Sequence, residues 1–366
     1  MSFRGFCVGL RKIEFLQKRL KIFLNYFLGP VLFVWLSYSI YNHISNQENW
    51  EQSWQAIKGS FYGPEAWRII VVVILMLLNW GLEAAKWQVL VEHIQRLSFW
   101  RSFKAVLSGV SFALNTPNRV GEYFGRVLYI NEGNRLRAIS LTLVGSISQM
   151  IITFLFGFFG LLVLRHELLA STLNTTNGLS SFWFDAVIYG AFVISAGLLL
   201  LYYKLSWIIK LMEKIPFVER YSYFIQKLED FEWRELTKVL IYSLCRYCVF
   251  IFQYALLLNV FDVDIDFMHV WWLTTVMFFV MAIVPTIALA ELGLRGKVSI
   301  LLFGLFSNNT LGIVLTATGI WLINLVVPAL AGSLLILGIK LFRKKSEKAS
   351  TDFTAVPDND KAERRG

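Results

Sequence analysis

The chain has 366 residues, 56% of them hydrophobic and 16% charged, with a mean hydropathy of +0.57. A soluble domain carries roughly 45–50% apolar and about 25% charged residues, so a water-soluble multidomain enzyme is excluded. The net charge of +10 comes from 35 basic and 25 acidic residues, and three cysteines (Cys7, Cys245, Cys248) exclude a disulfide framework. In a membrane protein such an excess reports the cytoplasmic face rather than a nucleic-acid partner.

In chain order, a basic stretch (1–21) precedes an apolar run at Ile22–Tyr41. That run holds Gly29-Pro30 and no small-residue cleavage pattern, so it is expected to be an anchor with its basic end inside, not a cleaved signal. Trp50, Trp54, Ile57 and Phe61 share one helical face in the following loop. Further runs predict membrane helices near Ile69–Val91, Ala138–Leu164, Ser181–Tyr203, Val239–Val260 and Leu311–Ile339. Shorter apolar stretches lie at Ala105–Thr116, Met268–Val284 and Ile287–Phe306. Trp207, Ile208, Leu211, Met212 and Ile215 form a second apolar face beside Lys210 and Lys214. Both faces suit helices lying on a membrane surface, or loop helices packed on the protein. Residues 343–366 are charged and are expected to be a disordered cytoplasmic tail, with no second soluble domain.

The basic residues decide the topology. Segments 1–21, 92–104, 131–137, 204–238 and 340–366 hold 26 Lys and Arg, whereas 42–67, 165–181, 261–267 and 306–310 hold 2. The first group is therefore predicted to be cytoplasmic, both termini included. For the loops at 92–104 and 131–137 to share that side, Ala105–Ile130 must enter and leave the membrane from the inside. The acidic loop with Asp262, Asp264 and Asp266 falls outside, so Met268–Phe306 must enter and leave from the outside.

These two elements match each other. Phe99 lies 18 positions before Pro117, as Phe267 does before Pro285; Glu122 lies four before Arg126, as Glu291 does before Arg295. The expected fold is an all-α polytopic membrane protein with two inverted-topology repeats (about 67–203 and 236–342), each containing a re-entrant or broken helix. Pro117 and Pro285 remove a backbone donor and end the inward helices, so the chain must turn at membrane depth. Backbone freed there is tolerated only in protein or beside a watery cavity.

Charge inside the bilayer is costly, by roughly 2.5–3.5 kcal/mol per residue on insertion scales. Glu122, Arg126, Glu291 and Arg295 therefore mark a substrate site, with Arg119 as an additional cation. The alternative use of each Glu–Arg pair is an internal bridge holding the broken helix together. Arginine offers a planar fork suited to phosphate, which makes a lipid phosphate headgroup the expected ligand. Asn79, Glu83 and Lys86 line one helix face, and Arg246 and Gln253 another. Lys86 and Arg246 lie near helix ends, where they could snorkel to the interface. Gln149 and Asn324 are expected to join helices. Cys245-x-x-Cys248 lies in an apolar helix without a redox pattern, and His43, His93, His166 and His269 are far apart, so no metal site or cofactor is expected.

Pro117-x-Arg119-x-Gly121-Glu122 followed by Arg126 resembles the signature of the transmembrane region of bacterial lysylphosphatidylglycerol synthases, which also occurs alone in flippase-like membrane proteins. Ala85-Lys86-Trp87-Gln88-Val89-Leu90 resembles that family's small–basic–Trp helix. The second motif is looser: Glu291 stands where glycine is usual and Gly296 where glutamate is usual. The resemblance implies a flippase-like transmembrane domain at 22–342, without the synthase domain, in a bacterial inner membrane. The expected headgroup site comprises Pro117, Arg119, Gly121, Glu122 and Arg126 with Pro285, Glu291 and Arg295 of the matching element, and Glu83, Lys86 and Arg246 as further membrane-embedded candidates. The expected partner is an anionic phospholipid or polyprenyl-phosphate headgroup moved between leaflets, not nucleic acid. A non-catalytic scaffold for envelope-lipid or glycan enzymes is the alternative. An intramembrane enzyme with Glu122 or Glu291 as general base is a further one.

Overall fold

A computed structural model describes residues 66–114, 116, 119–168, 181–204, 231–285 and 288–336, with Tyr38 and Gly59. The anchor at Ile22–Tyr41, the two amphipathic faces, Pro117 and the C-terminal tail lie outside the described residues, except for Tyr38. The described residues are helical and contain no strand.

Long apolar stretches free of proline form α1 (Ala66–Val91), α4 (Arg135–Val163), α5 (Ser181–Tyr203) and α6 (Trp233–Val260). Between α1 and α4 come α2 (Phe99–Leu114) and the short α3 (Gly121–Val127); after α6 come α7 (Phe267–Ile283), α8 (Ala288–Phe303) and α9 (Thr310–Trp321). The last helix continues to Ile336 through a π-helical segment at Leu322–Val326. Its cause is Pro328, which cannot donate to the carbonyl of Asn324 and so disrupts the regular ladder before it. Among the described residues, five helices are long and apolar enough to cross a membrane: α1, Glu132–Val163, Phe182–Tyr203, α6 and Thr310–Ile336. These correspond to the five long apolar runs expected in this region.

The starts of α6, α7 and α9 are capped by local side chains. Glu232 and Glu235 form a reciprocal capping box on α6. Asp266 accepts from the Met268 N–H at 2.9 Å on α7, and Asn309 from the Gly312 N–H at 2.9 Å on α9.

α1 and α6 run antiparallel and form the spine. His93 meets Glu235 at one end, Lys86 meets Ser243 and Glu83 meets Arg246 in the middle, and Gln253 donates to the Val72 carbonyl (2.9 Å) near the other. Two helical hairpins pack around this spine. α2 packs on α3, and α7 packs on α8. A helix of 16 residues, such as α2, spans roughly 24 Å and falls short of a hydrocarbon core of about 30 Å.

Both hairpins close on themselves. Arg101 at the start of α2 donates to the Tyr129 carbonyl (3.1 Å), and Asn134 donates to the Ile94 carbonyl (2.8 Å). At the second hairpin Asn309 donates to the Phe261 and Asp262 carbonyls (2.9 and 3.0 Å), and His269 packs on Phe306. The first pair of ends adjoins the N-terminal end of α6, through His93 and Glu235; the second adjoins its C-terminal end, through Phe261. The hairpins are thus rooted at opposite ends of the same long helix.

Close approach of helices depends on glycine. A Cβ on Gly125 would collide with the backbone of Ser108 and Gly109, so α2 and α3 can pack only because that position is bare. α5 contributes least to the interior: Phe182, Trp183, Tyr189, Val193 and Leu200 are all exposed, as a lipid-facing helix requires.

Candidate functional site

A cavity of about 430 Å³ lies where α1, α4, α6, α7, α8 and α3 with the segment leading into it converge. It falls within the 300–1,000 Å³ typical of small-molecule sites. Its charged lining comprises Glu83, Lys86, Arg119, Glu122, Arg246 and Arg295.

Glu83 is the hub. Its carboxylate pairs with Lys86 (2.8 Å), Arg126 (2.7 Å) and Arg246, and its side chain is 5% exposed. These cations come from α1 itself, α3 and α6, so one buried carboxylate joins three helices. Arg126 also pairs with Glu122, one turn earlier on α3. Arg246 takes a further bond to Asn79 Oδ1 (2.9 Å) and lies over the Trp80 ring, 5.4 Å from its centroid. Burial of this many charges is tolerated because each is paired and hydrogen-bonded.

Lys86 does not snorkel. Its ammonium is buried and donates to the Gly145 carbonyl (3.2 Å) and Ser243 Oγ (3.4 Å) as well as to Glu83. The reason is registry: the antiparallel packing of α1 and α6 directs Lys86 into the interior, where a carboxylate and two acceptors await it. Arg246 is likewise turned inward, not toward the interface.

The second hairpin repeats part of this bonding. Arg295 pairs with Glu291 (2.7 Å), again one turn apart, and donates to Tyr254 Oη (3.1 Å) on α6. In each hairpin the arginine of the returning helix holds its own glutamate and also a side chain of the preceding span. The Glu–Arg pairs are therefore internal bridges, and both lie at the cavity through Glu122 and Arg295.

Arg119 differs from the other cations. It lines the cavity and is exposed, and it has no hydrogen bond or ion pair among the described residues. Its backbone is left-handed (φ 58°), a conformation uncommon for residues other than glycine. It shares the cavity lining with Arg246 of α6 and Arg295 of the second hairpin.

Other expected site residues are placed elsewhere. Gly121 is buried against the Phe112 backbone, and its N–H donates to Thr116 Oγ1 (2.7 Å); it starts α3 and does not line the cavity. Pro285 ends the first arm of the second hairpin and is exposed, also away from the lining. Asn324 joins helices as expected, accepting from Asn79 at 3.3 Å. Gln149 lines the cavity instead, and its Oε1 has no partner among the described residues. Three donors at the cavity are also buried and unpartnered there: Trp80 Nε1, Tyr247 Oη and Arg295 Nε. Trp80 lies one residue from Asn79 and Tyr247 one from Arg246, but apolar-looking aromatics inside hydrophobic runs carried no sequence signal of their own.

A model of the lysylphosphatidylglycerol synthase TM region matches residues 22–332. No curated protein and no solved structure matches the chain. The matched span contains the spine, both hairpins and every charged residue of the cavity, and the chain therefore belongs to the lysylphosphatidylglycerol synthase TM region family.

Proposed function

We propose that the protein binds the anionic headgroup of a phospholipid or polyprenyl phosphate in this cavity and moves it between leaflets, without chemical turnover. The observation that carries the reading is Arg119: an exposed cation at the cavity with no hydrogen bond or ion pair among the described residues, beside buried charges that are paired. Its planar fork suits phosphate oxygens, and Trp80, Tyr247 and Arg295, each with a donor that has no partner among the described residues, line the same space.

The two hairpins are read as the broken elements of an inverted-topology repeat. Support comes from their matched Glu–Arg spacing, their bonding to the preceding span and their roots at opposite ends of α6. With the 26-to-2 distribution of basic residues, this orients the first hairpin from the cytoplasm and the second from outside. The setting is a bacterial inner membrane with both termini cytoplasmic.

Movement of an acyl-labelled anionic phospholipid between leaflets of vesicles tests the proposal. Arg119→Asn removes the charge while keeping a residue that tolerates left-handed backbone. A charge-assisted hydrogen bond is worth about 1.5–3 kcal/mol, so headgroup binding should weaken on the order of tenfold to a hundredfold. The variant should elute as folded protein and move lipid at least tenfold more slowly than wild type. Wild-type rates in folded Arg119→Asn would move the headgroup site elsewhere. A wild type that moves no lipid under any composition or gradient would favour a scaffold for envelope enzymes.

A further inference from the structure

The charges around the cavity do not balance. Lys86, Arg126 and Arg246 share two carboxylates, Glu83 and Glu122. Glu291 is matched by Arg295. Arg119 has no ion pair among the described residues. Five cations therefore stand against three carboxylates, an excess of two positive charges with every group ionised. Tyr123 and Tyr247 line the cavity and Tyr254 is bonded to Arg295; Tyr247 and Tyr254 are buried.

Lys86, Arg126 and Arg246 are buried, so the part of this excess that they carry is unfavourable until a ligand offsets it. A phosphodiester headgroup brings one negative charge. A terminal phosphate brings about −1.5 to −2 at pH 7 and presents three strong acceptor oxygens. Beyond Arg119, the lining residues Trp80, Tyr247 and Arg295 carry donors, Nε1, Oη and Nε, that are buried and have no partner among the described residues. Of these, Tyr247 is 1% exposed and Trp80 is 4% exposed.

Resting on the headgroup reading above, we infer that the cavity selects a lipid ending in a doubly charged phosphate, such as a phosphomonoester, over a phosphodiester lipid. Charge matching and donor number both favour it, and Arg119 supplies the second positive charge.

The test is binding to the full chain in neutral detergent, with three probes. Dihexanoyl phosphatidic acid carries a terminal phosphate, dihexanoyl phosphatidylglycerol a diester with the same tails, and inorganic phosphate no tail. At pH 7.5 the phosphatidic acid should bind at least tenfold more tightly than the phosphatidylglycerol, a difference of about 1.4 kcal/mol. The phosphate's second proton returns near pH 6, so the ratio should approach one by pH 5. The diester measured across the same range reports any titration of Glu83, Glu122 or Glu291 themselves. Arg119→Asn should bring the ratio toward one at pH 7.5, and Arg119→Lys should restore much of it.

Equal or tighter binding of the phosphatidylglycerol at pH 7.5 would overturn the charge selection while leaving the headgroup site standing. Inorganic phosphate binding as tightly as the phosphatidic acid would assign the site to free phosphate and overturn the lipid. Failure of all three probes to bind would overturn the headgroup reading as well. An unchanged ratio in folded Arg119→Asn would remove that residue, and the argument built on it.

Discussion

Replacing Glu83 with glutamine should be the most damaging change of one charge in the spine. The side chain keeps its size and one acceptor oxygen but loses the charge that balances Lys86, Arg126 and Arg246. Its new amide donors also face cations that can only donate. Removing one partner of a buried ion pair costs about 3–5 kcal/mol, because the remaining charge is left uncompensated. Each cation here retains a second contact: Lys86 keeps the Gly145 carbonyl, Arg126 keeps Glu122, and Arg246 keeps Asn79. That places the expected loss near the lower figure, about 3 kcal/mol. Glu122→Gln makes the comparison. Its side chain is 23% exposed and it serves one arginine, so it should cost closer to 1.5 kcal/mol. The double variant Glu83→Gln/Arg246→Gln should recover part of the Glu83 loss by removing one unbalanced charge. Unfolding by SDS titration in mixed micelles measures all three. If Glu83→Gln stays within 1 kcal/mol of wild type (roughly the error of such titrations), or costs less than Glu122→Gln, the central carboxylate does not hold the spine together.

The remaining predictions concern the hairpins. Reporter fusions at Gln95 and Arg135 should read the same side, and a fusion at Asp264 the opposite side; Gln95 and Arg135 on different sides would break the first hairpin and the repeat with it. Gly125→Ala places a Cβ against the backbone of Ser108 and Gly109, so overpacking of about 1–3 kcal/mol is expected. The same titration checks it, and an unaltered midpoint would show that α2 and α3 do not approach as closely as described.

The local features of this protein were legible in its sequence because they depend on neighbours along the chain. Apolar runs report which segments can cross a bilayer, and the clustering of lysine and arginine reports the side on which each loop remains. The Glu–Arg pairs at 122/126 and 291/295 are one helical turn apart, so a regular helix brings them together without help from the rest of the fold. The acidic and asparagine caps of α6, α7 and α9 are equally local.

What those charges meet was decided by tertiary packing. Glu83 reaches partners 43 and 163 residues away, and no periodicity within α1 specifies either distance. The antiparallel registry of α1 and α6 does, and that registry follows from how two faces interlock along their length. It turned Lys86 from a residue able to snorkel into one enclosed by Glu83, Gly145 and Ser243. It also brought Trp80 and Tyr247 to one lining, and the packing of α4 on this pair left Gln149 at the same cavity instead of at a helix contact. Conversely, Gly121 belongs to a motif that reads as ligand-binding, yet the structure uses its missing side chain to seat α3 on the Phe112 backbone. A sequence names the charges that a membrane interior must accommodate; only the packed helices determine which are neutralised and which, like Arg119, have no partner among the described residues.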